Sequence, residues 1–338
     1  MPPDAAPPTT FARATWAFDV SDVVPVDGRF EIVASWIAPV GLHPDHPITL
    51  LVCLPGGFLS RRYFDLEIDG SRRYSFAEAM AAHGHAVLTL DHVGTGDSTK
   101  PDPQEAGLAI GVDAIAAANQ SALDQARSRI SAGDPASGTP PLEIRSSIGV
   151  GHSMGSMLTV EQQALARPYD GLLLFSFSTS GTPRFLDEEL MAYADQPARL
   201  RREMPTVLSR AMGGPYPPRA NGVEEDRVAA FGVGTAPPEA EAALQAAATH
   251  LLGAGGLTSM IPGGYAMAAQ KVDVPVLMIF GDHDLHDDRH TARELPLVRD
   301  LETWQLDDAW HCHFVANRRE RLWERVALWL DAHTANAD

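Results

Sequence analysis

The sequence from residue 146 to 160, SSIGVGHSMGSMLTV, places one serine between two glycines. An apolar run that is typical of a strand ends before Gly151, and a helix-like pattern resumes after Gly155. A sharp turn from strand to helix crowds the side chain at its apex, and glycines two residues before and after relieve that crowding. The pattern therefore predicts a turn that presents the Ser153 hydroxyl as a nucleophile, although a serine that only completes a tight turn would give the same five residues.

A serine hydroxyl is a weak nucleophile unless a base accepts its proton and a third group orients that base. Where a strand–turn–helix presents the serine, these groups follow later strands, in the order serine, acid, histidine. The apolar run VPVLMIF precedes Asp282, Asp284, Asp287 and Asp288, and the next predicted strand, ETWQL, precedes His311 and His313. These side chains supply four candidates for the acid and two for the base.

Short apolar runs alternate with helix-like patterns along most of the chain. The runs, which are typical of strands buried in a parallel sheet, lie at 48–54, 86–90, 147–150, 171–177 and 274–280. An alternating pattern between Trp16 and Ile37 predicts further strands. Helical patterns occupy 74–84, 111–130, 155–168 and 317–333. Strands alternating with helices predict an α/β fold, with a mostly parallel central sheet flanked by helices.

Residues 182–270 interrupt this alternation. The segment separates two predicted strands by far more than a crossover helix needs, and it carries helix-like patches such as RFLDEELMAYADQPARLRREM and PPEAEAALQAAATHLL. GGPYPP and GAGG are interpreted as breaks between helices. We therefore predict a helical cap inserted between late strands, with the α/β core formed by residues 1–181 and 271–338.

Composition restricts the partners more than the chemistry. The 338 residues carry a net charge of -18, which disfavours nucleic acid and anionic membrane surfaces. No run approaches the roughly 18 apolar residues of a membrane span, and the first residues lack the pattern of a secretory signal. Two cysteines, Cys53 and Cys312, do not make a disulfide framework. We expect a cytoplasmic protein, and assembly into a homo-oligomer stays open.

Five segments together resemble the α/β-hydrolase superfamily. CLPGGF, residues 53–58, is similar to the family's His-Gly oxyanion loop, with Pro55 in place of the usual histidine. LDHVGTGDS, residues 90–98, resembles the D-x-x-G-x-G-x-S turn, and GHSMG is similar to the nucleophile elbow. PVLMIFGDHD and AWHCHF resemble the segments that carry the family's acid and histidine. The resemblance covers about residues 30–180 and 271–335, with the insert at the family's usual lid position.

The resemblance implies a catalytic triad. Ser153 would be the nucleophile, His311 the base and Asp284 the acid that orients the base. It favours Asp284 over Asp282 and His311 over His313, because these residues take the family's places in their segments.

The resemblance also implies an oxyanion hole. One donor would be the backbone N–H of Met154, and the other would be the N–H of Gly57 or Phe58. His152 adjoins the predicted nucleophile and Trp310 adjoins the predicted base, so we expect both to line the substrate pocket. No cofactor is implied.

The stretch from Gly281 to His290 invites a different hypothesis, a metal site. Its possible ligands are His283, Asp284, His286, His290, His311 and His313. Their spacing matches no zinc pattern, so we expect no metal. Asp287 and Asp288 are interpreted as part of a solvated loop surface.

A serine at the elbow favours acyl chemistry over the dehalogenases and epoxide hydrolases of the superfamily, which carry aspartate there. The resemblance implies hydrolysis of a small or medium carboxylic ester, lactones included, through an acyl-enzyme. Acyl transfer, amide hydrolysis and carbon–carbon bond hydrolysis would use the same triad and stay open. The alternative outside enzymes is a non-catalytic ligand-binding protein on the same fold.

Overall fold

The alternating strands and helices form an α/β fold around one large sheet. The computed structural model describes residues 11–217, 236–285 and 294–334. Its strands are β1 (Phe11–Asp19), β2 (Glu31–Pro39), β3 (Ile48–Leu54), β4 (Leu66–Ile68), β5 (Ser71–Tyr74), β6 (Ala86–Leu90), β7 (Ile144–His152), β8 (Gly171–Phe175), β9 (Val276–Gly281) and β10 (Leu301–Leu306). Eight of them form one sheet in the order β1-β2-β6-β3-β7-β8-β9-β10, while β4 and β5 pair separately.

The sheet is mostly parallel, as its apolar runs predict. β1 pairs antiparallel with β2, and β2 pairs antiparallel with β6. From β6 onward each pair of neighbours is parallel. The carboxyl ends of β7, β8, β9 and β10 therefore share one edge of the sheet, which is where parallel sheets place their ligand sites.

Helices cover both faces of the sheet. They are α1 (Phe76–Ala82), α2 (Val112–Ala132), α3 (Met154–Ala166), α4 (Glu188–Met191), α5 (Pro197–Met212), α6 (Pro238–Ala246), α7 (Gly253–Met260), α8 (Ala266–Ala269) and α9 (Arg319–Thr334). The four helices predicted outside the insert are confirmed, with ends shifted by a few residues. α1 begins after Ser75, whose side chain accepts a hydrogen bond from the N–H of Glu78. Such capping satisfies an N–H that the first turn leaves unpaired.

The helices α4 to α8 lie between β8 and β9, in the segment predicted as an insert. The interpretation of GAGG as a break was wrong, because these residues begin α7. A Cβ at Gly253 would lie 2.8 Å from the Leu208 side chain, and one at Gly255 would lie 2.9 Å from the sulfur of Met154. The glycines therefore allow α7 to approach α5 and the first residue of α3.

Two hydrophobic clusters fill the space on the two sides of the sheet. One contains side chains of α2, α3 and most of the insert, and the other contains side chains of α1, α6 and α9. Insert residues such as Leu200 and Leu257 belong to the same cluster as Leu174 of β8. The insert thus shares its buried surface with the sheet, and its boundaries as a separate domain stay a prediction. Within the described residues, none of the helices combines the length and apolar character that a bilayer span requires.

A buried ion pair joins the insert to α3. Arg201 on α5 contacts the carboxylates of Glu161 on α3 and Asp113 on α2. Burial raises the pKa of Glu161 from its ordinary value of 4.5 to about 7, although the contact with Arg201 opposes this shift. A carboxyl group that binds its proton more tightly in the folded state stabilises the fold at low pH and loses that contribution as pH rises.

We expect the free energy of unfolding to depend on the ionisation of Glu161. Relative to Glu161→Gln, wild-type protein should lose up to about 3 kcal/mol as pH rises from 4.5 to 7, which is the equivalent of its pKa shift. Urea unfolding of both proteins at pH 4.5, 6 and 8 measures the difference. The control is Glu203→Gln, which alters a more exposed carboxylate on α5. Parallel pH profiles for wild type and Glu161→Gln would contradict the prediction.

Candidate active site

The predicted nucleophile lies at a strained turn between β7 and α3. Ser153 has φ 55° and ψ -122°, in the region that non-glycine residues rarely adopt. A Cβ at Gly151 would lie 2.3 Å from Cα of Ser156, and a Cβ at Gly155 would lie 2.0 Å from the carbonyl oxygen of Leu54. Only glycine fits either position, because backbone atoms cannot withdraw as a flexible side chain could. The two glycines therefore serve the function that the sequence pattern predicts.

The predicted acid is a buried carboxylate surrounded by donors. Asp284 has 1% of its side chain exposed. Its Oδ1 accepts hydrogen bonds from Nδ1 of His311 and the N–H of Leu285, both at 2.7 Å. Its Oδ2 accepts from the hydroxyl of Ser176 at 2.5 Å and from Nε2 of His313 at 3.1 Å. Burial alone would raise the pKa of Asp284, but the neighbouring His311 and His313 hold that pKa well below its usual range.

Both candidate histidines contact this carboxylate, through different ring nitrogens. His311 donates from Nδ1, so Nε2 on the other side of its ring is the nitrogen that could act as a base. His313 donates from Nε2, its side chain is fully buried, and its Nδ1 has no hydrogen-bond partner among the described residues. This geometry favours His311 as the base and makes His313 a second support of the acid.

Asp282, another candidate acid, bonds to backbone groups of the loop after β10. Asp282 accepts hydrogen bonds from the backbone N–H groups of Asp308 and Ala309, at 3.0 and 2.9 Å. It therefore ties the loop after β9 to the loop after β10, while Asp284 contacts the histidines. The geometry favours Asp284 in the orienting role.

The predicted oxyanion loop lies directly against the elbow. A Cβ at Gly56 would lie 2.7 Å from Nδ1 of His152 and 3.1 Å from Cβ of Ser153. Phe58 has φ 62°, a conformation that costs a non-glycine residue about 1–2 kcal/mol. Met154 is the first residue of α3, where backbone N–H groups have no partner within the helix. The loop that carries Gly57 and Phe58 and the start of α3 at Met154 thus both adjoin Ser153.

A buried ion pair fixes the end of this loop. The backbone N–H of Arg61 donates to Asp91 at 2.6 Å, and its guanidinium contacts both Asp91 and Asp97. The N–H of Asp97 donates to Asp91 at 2.9 Å, and a Cβ at Gly96 would lie 2.2 Å from Cγ of Asp91. The segment recognised as D-x-x-G-x-G-x-S therefore anchors the loop, a role that its pattern alone did not indicate.

The two predicted pocket residues have other contacts in the structure. His152 is buried, and its Nε2 donates to the backbone carbonyl of His311 at 2.8 Å. Burial, with His311 and His313 close by, holds the pKa of His152 well below its usual range. Trp310 stacks on His283 with ring centroids 4.7 Å apart. Neither contact tests a substrate pocket, so both assignments stay predictions.

The metal hypothesis concerns the histidine-rich stretch from Gly281 to His290, of which the structure describes residues 281–285. His286, Asp287, Asp288 and His290 lie outside the described residues. In the described part of the chain, three side chains of ligand type converge at one place, between β10 and α9; they are Asp300, Glu302 and His333. This group includes none of the residues proposed as metal ligands from the sequence.

Sequence reasoning missed Ser176. The run GLLLFSF predicts a strand through residue 177, but β8 ends at Phe175 and Ser176 has φ 52°. The turn directs the Ser176 hydroxyl to Asp284 rather than into the sheet. Its position after a buried strand, at the edge shared with β7 and β9, was the available signal.

Comparison with known proteins agrees with this architecture. Residues 51–325 match the model of the alpha/beta hydrolase family. No curated protein matches the sequence.

Similar solved structures include an esterase from Rhodococcus sp. ECU1013, with 19% identity, 95% of this chain and 99% of that chain covered, and a TM-score of 0.54. A proline iminopeptidase from Mycobacterium smegmatis has 18% identity, covers 96% and 100% of the two chains and has a TM-score of 0.54. A bromoperoxidase from Bacillus anthracis has 15% identity, with 94% and 99% covered and a TM-score of 0.56. At these identities the likeness shows the fold alone.

The hydrogen bond from His313 leads to a prediction about pH dependence. His313→Leu should lower kcat for an ester substrate by about tenfold or more, because Asp284 loses a donor that orients it. It should also move the acidic limb of kcat/KM to higher pH. Burial raises the pKa of Asp284 while His311 and His313 lower it, so the loss of His313 should raise that pKa and protonate the carboxylate at higher pH. Steady-state kinetics between pH 5 and 9 give both quantities.

His313→Gln is the matched control, because its amide N–H can occupy the position of Nε2. We expect Gln to return the acidic limb toward the wild-type pH. Equal pH profiles for the Leu variant and wild type would show that His313 only fills space.

Proposed function

The chain belongs to the alpha/beta hydrolase family, and from this premise we propose that it is a serine hydrolase that cleaves carboxylic esters, lactones included. The observation that carries the proposal is the 2.7 Å hydrogen bond between His311 and the buried Asp284, at the sheet edge where Ser153 sits at its strained elbow. A serine, an acid and a histidine in this order, after β7, β9 and β10, are what acyl transfer to a hydroxyl needs.

In the proposed mechanism, Nε2 of His311 accepts the hydroxyl proton as Ser153 attacks the ester carbonyl. Asp284 keeps the proton on Nδ1 of His311 and stabilises the imidazolium that forms. The oxyanion accepts hydrogen bonds from the N–H of Met154 and from the N–H of Gly57 or Phe58. His311 then donates its proton to the departing alcohol, and water activated by the same imidazole releases the acid.

Further features support the proposal. The strain at Phe58 and the contact of Gly56 with the elbow are consistent with a loop built to bring N–H groups to the serine. One of the similar structures is an esterase, which makes an ester the first substrate class to test. Cys53 and Cys312 are both buried and are not joined in a disulfide, which supports a cytoplasmic location.

Removing the nucleophile should abolish turnover. We expect Ser153→Ala to lower kcat for p-nitrophenyl acetate or butyrate by at least about a thousandfold, as loss of a triad member does in other serine hydrolases. The control Ser128→Ala removes an exposed hydroxyl on α2 and should keep wild-type rates. Turnover by the purified Ser153→Ala protein at wild-type rate would contradict the proposal.

The fate of the acyl group distinguishes hydrolysis from acyl transfer. A hydrolase should release one equivalent of acid per alcohol in water. Added methanol should divert part of the acyl group to the methyl ester without changing kcat/KM, because acylation precedes the choice of acceptor. Product analysis with and without methanol measures this partition. An enzyme that releases p-nitrophenol only when an alcohol or amine is present would instead be an acyltransferase.

A further inference from the structure

Part of the insert runs alongside the predicted oxyanion loop and is bonded to it through the backbone. We call residues 247–251, between α6 and α7, the tether. The N–H of Thr249 donates to the carbonyl oxygen of Phe58 at 2.9 Å. The carbonyl oxygen of Ala247 accepts from both the N–H and the hydroxyl of Ser60, each at 2.8 Å. The loop is therefore paired with the insert on one side, much as two strands are paired.

The Thr249 side chain extends this pairing to a third segment. Its hydroxyl oxygen accepts a hydrogen bond from the N–H of Gly96 at 2.9 Å. The next residue, Asp97, donates its N–H to Asp91, and Asp91 accepts the N–H of Arg61 at the far end of the loop. These hydrogen bonds link the loop to the insert, the insert to the turn at residues 91–97, and that turn back to the loop. We call this closed set of hydrogen bonds the circuit. Thr249 takes part in it through both its backbone and its side chain.

The conformation of Phe58 explains why such a circuit would matter. Its φ of 62° is strained, and relaxation to the ordinary region would turn its N–H by about 120° relative to its C=O. The hydrogen bond from Thr249 fixes the direction of the C=O, and the N–H of Leu59 donates to the carbonyl oxygen of Gly56 at 3.2 Å. The chain is thus held on both sides of Phe58, and its N–H keeps its observed direction. Packing adds to this, since a Cβ at Gly57 would lie 2.8 Å from the Leu251 side chain.

We propose that Thr249 is a positioning residue that holds residues 57–60 in the conformation required of an oxyanion loop. The tether is therefore a fixed part of the active site and does not open as a cover. The catalytic part of this inference rests on the proposed function, because only a developing oxyanion gives the loop N–H groups a charge to stabilise.

Thr249→Val tests the inference, since it keeps the shape and the backbone N–H but leaves the N–H of Gly96 without its acceptor. Thr249→Ser restores the hydroxyl and is the matched control. Hydrogen exchange of a peptide spanning residues 55–61 should be at least about tenfold faster in the Val variant than in wild type, and close to wild type in Ser. For a small p-nitrophenyl ester, kcat should fall at least about tenfold in Val with KM within about twofold, because loss of an oxyanion donor acts on the transition state. Thr249→Ala repeats the test if the Val variant folds poorly.

The outcomes separate the inference from the proposed function. Unchanged exchange in residues 55–61 of the Val variant would overturn the positioning role, whether or not the protein hydrolyses esters. Faster exchange with unchanged kcat would also overturn it, because the loop would then be loose without effect on the reaction. Faster exchange in a protein whose wild type hydrolyses no ester would uphold the positioning role and reject the proposed function. A KM that rises while kcat stays constant would assign Thr249 to substrate binding and overturn the inference.

Discussion

The buried charge of Asp284 is the constraint on which the arrangement of the site depends. A carboxylate removed from water stays ionised only if hydrogen-bond donors and positive charge replace the water. Here the donors come from the end of β8 through Ser176, from the loop after β9 through Leu285, and from the loop after β10 through His311 and His313. One group of two oxygens therefore fixes three neighbouring strand ends relative to one another. The bond from Nδ1 of His311 also places Nε2 on the side of the ring away from Asp284.

Three of the seven described non-glycine residues with positive φ lie where the proposed chemistry would occur. Ser153, Phe58 and Ser176 all have positive φ. Each such residue costs of order 1–3 kcal/mol and persists only where its surroundings determine it. At Ser153 the surroundings are Gly151, which admits backbone of α3, and Gly155, which admits the end of β3. At Phe58 they are the tether and the ion pair of Arg61 with Asp91. In the proposed mechanism this strain would be present before any substrate arrives, which lowers the reorganisation that catalysis would need.

The insert has two kinds of attachment to the rest of the chain. Its helices share a hydrophobic cluster with α2, α3 and the sheet, and Arg201 forms an ion pair with Glu161. The tether adds backbone hydrogen bonds at the predicted oxyanion loop. A segment attached at the site in this way can influence the shape of a substrate pocket and the geometry of the reacting groups together. A substitution in the insert can therefore change the positions of residues at the sheet edge.

The sequence alone determined the order of the elements and the elbow at Ser153, because both follow from local patterns. Apolar runs mark buried strands, and a nucleophile between two glycines requires only its neighbours along the chain. The contacts of His311 and His313 with Asp284, the hydrogen bond from Ser176 and the hydrogen bonds of Thr249 are set by tertiary structure. Ser176 and Asp284 are 108 positions apart, and Gly96 and Thr249 are 153 positions apart. Such contacts depend on which strands are neighbours and where each strand ends, and local periodicity carries neither. The helix that begins at GAGG shows the same limit. Its glycines leave room for the side chains of Met154 and Leu208, and this packing, not the conformational preference of glycine, decides the local structure.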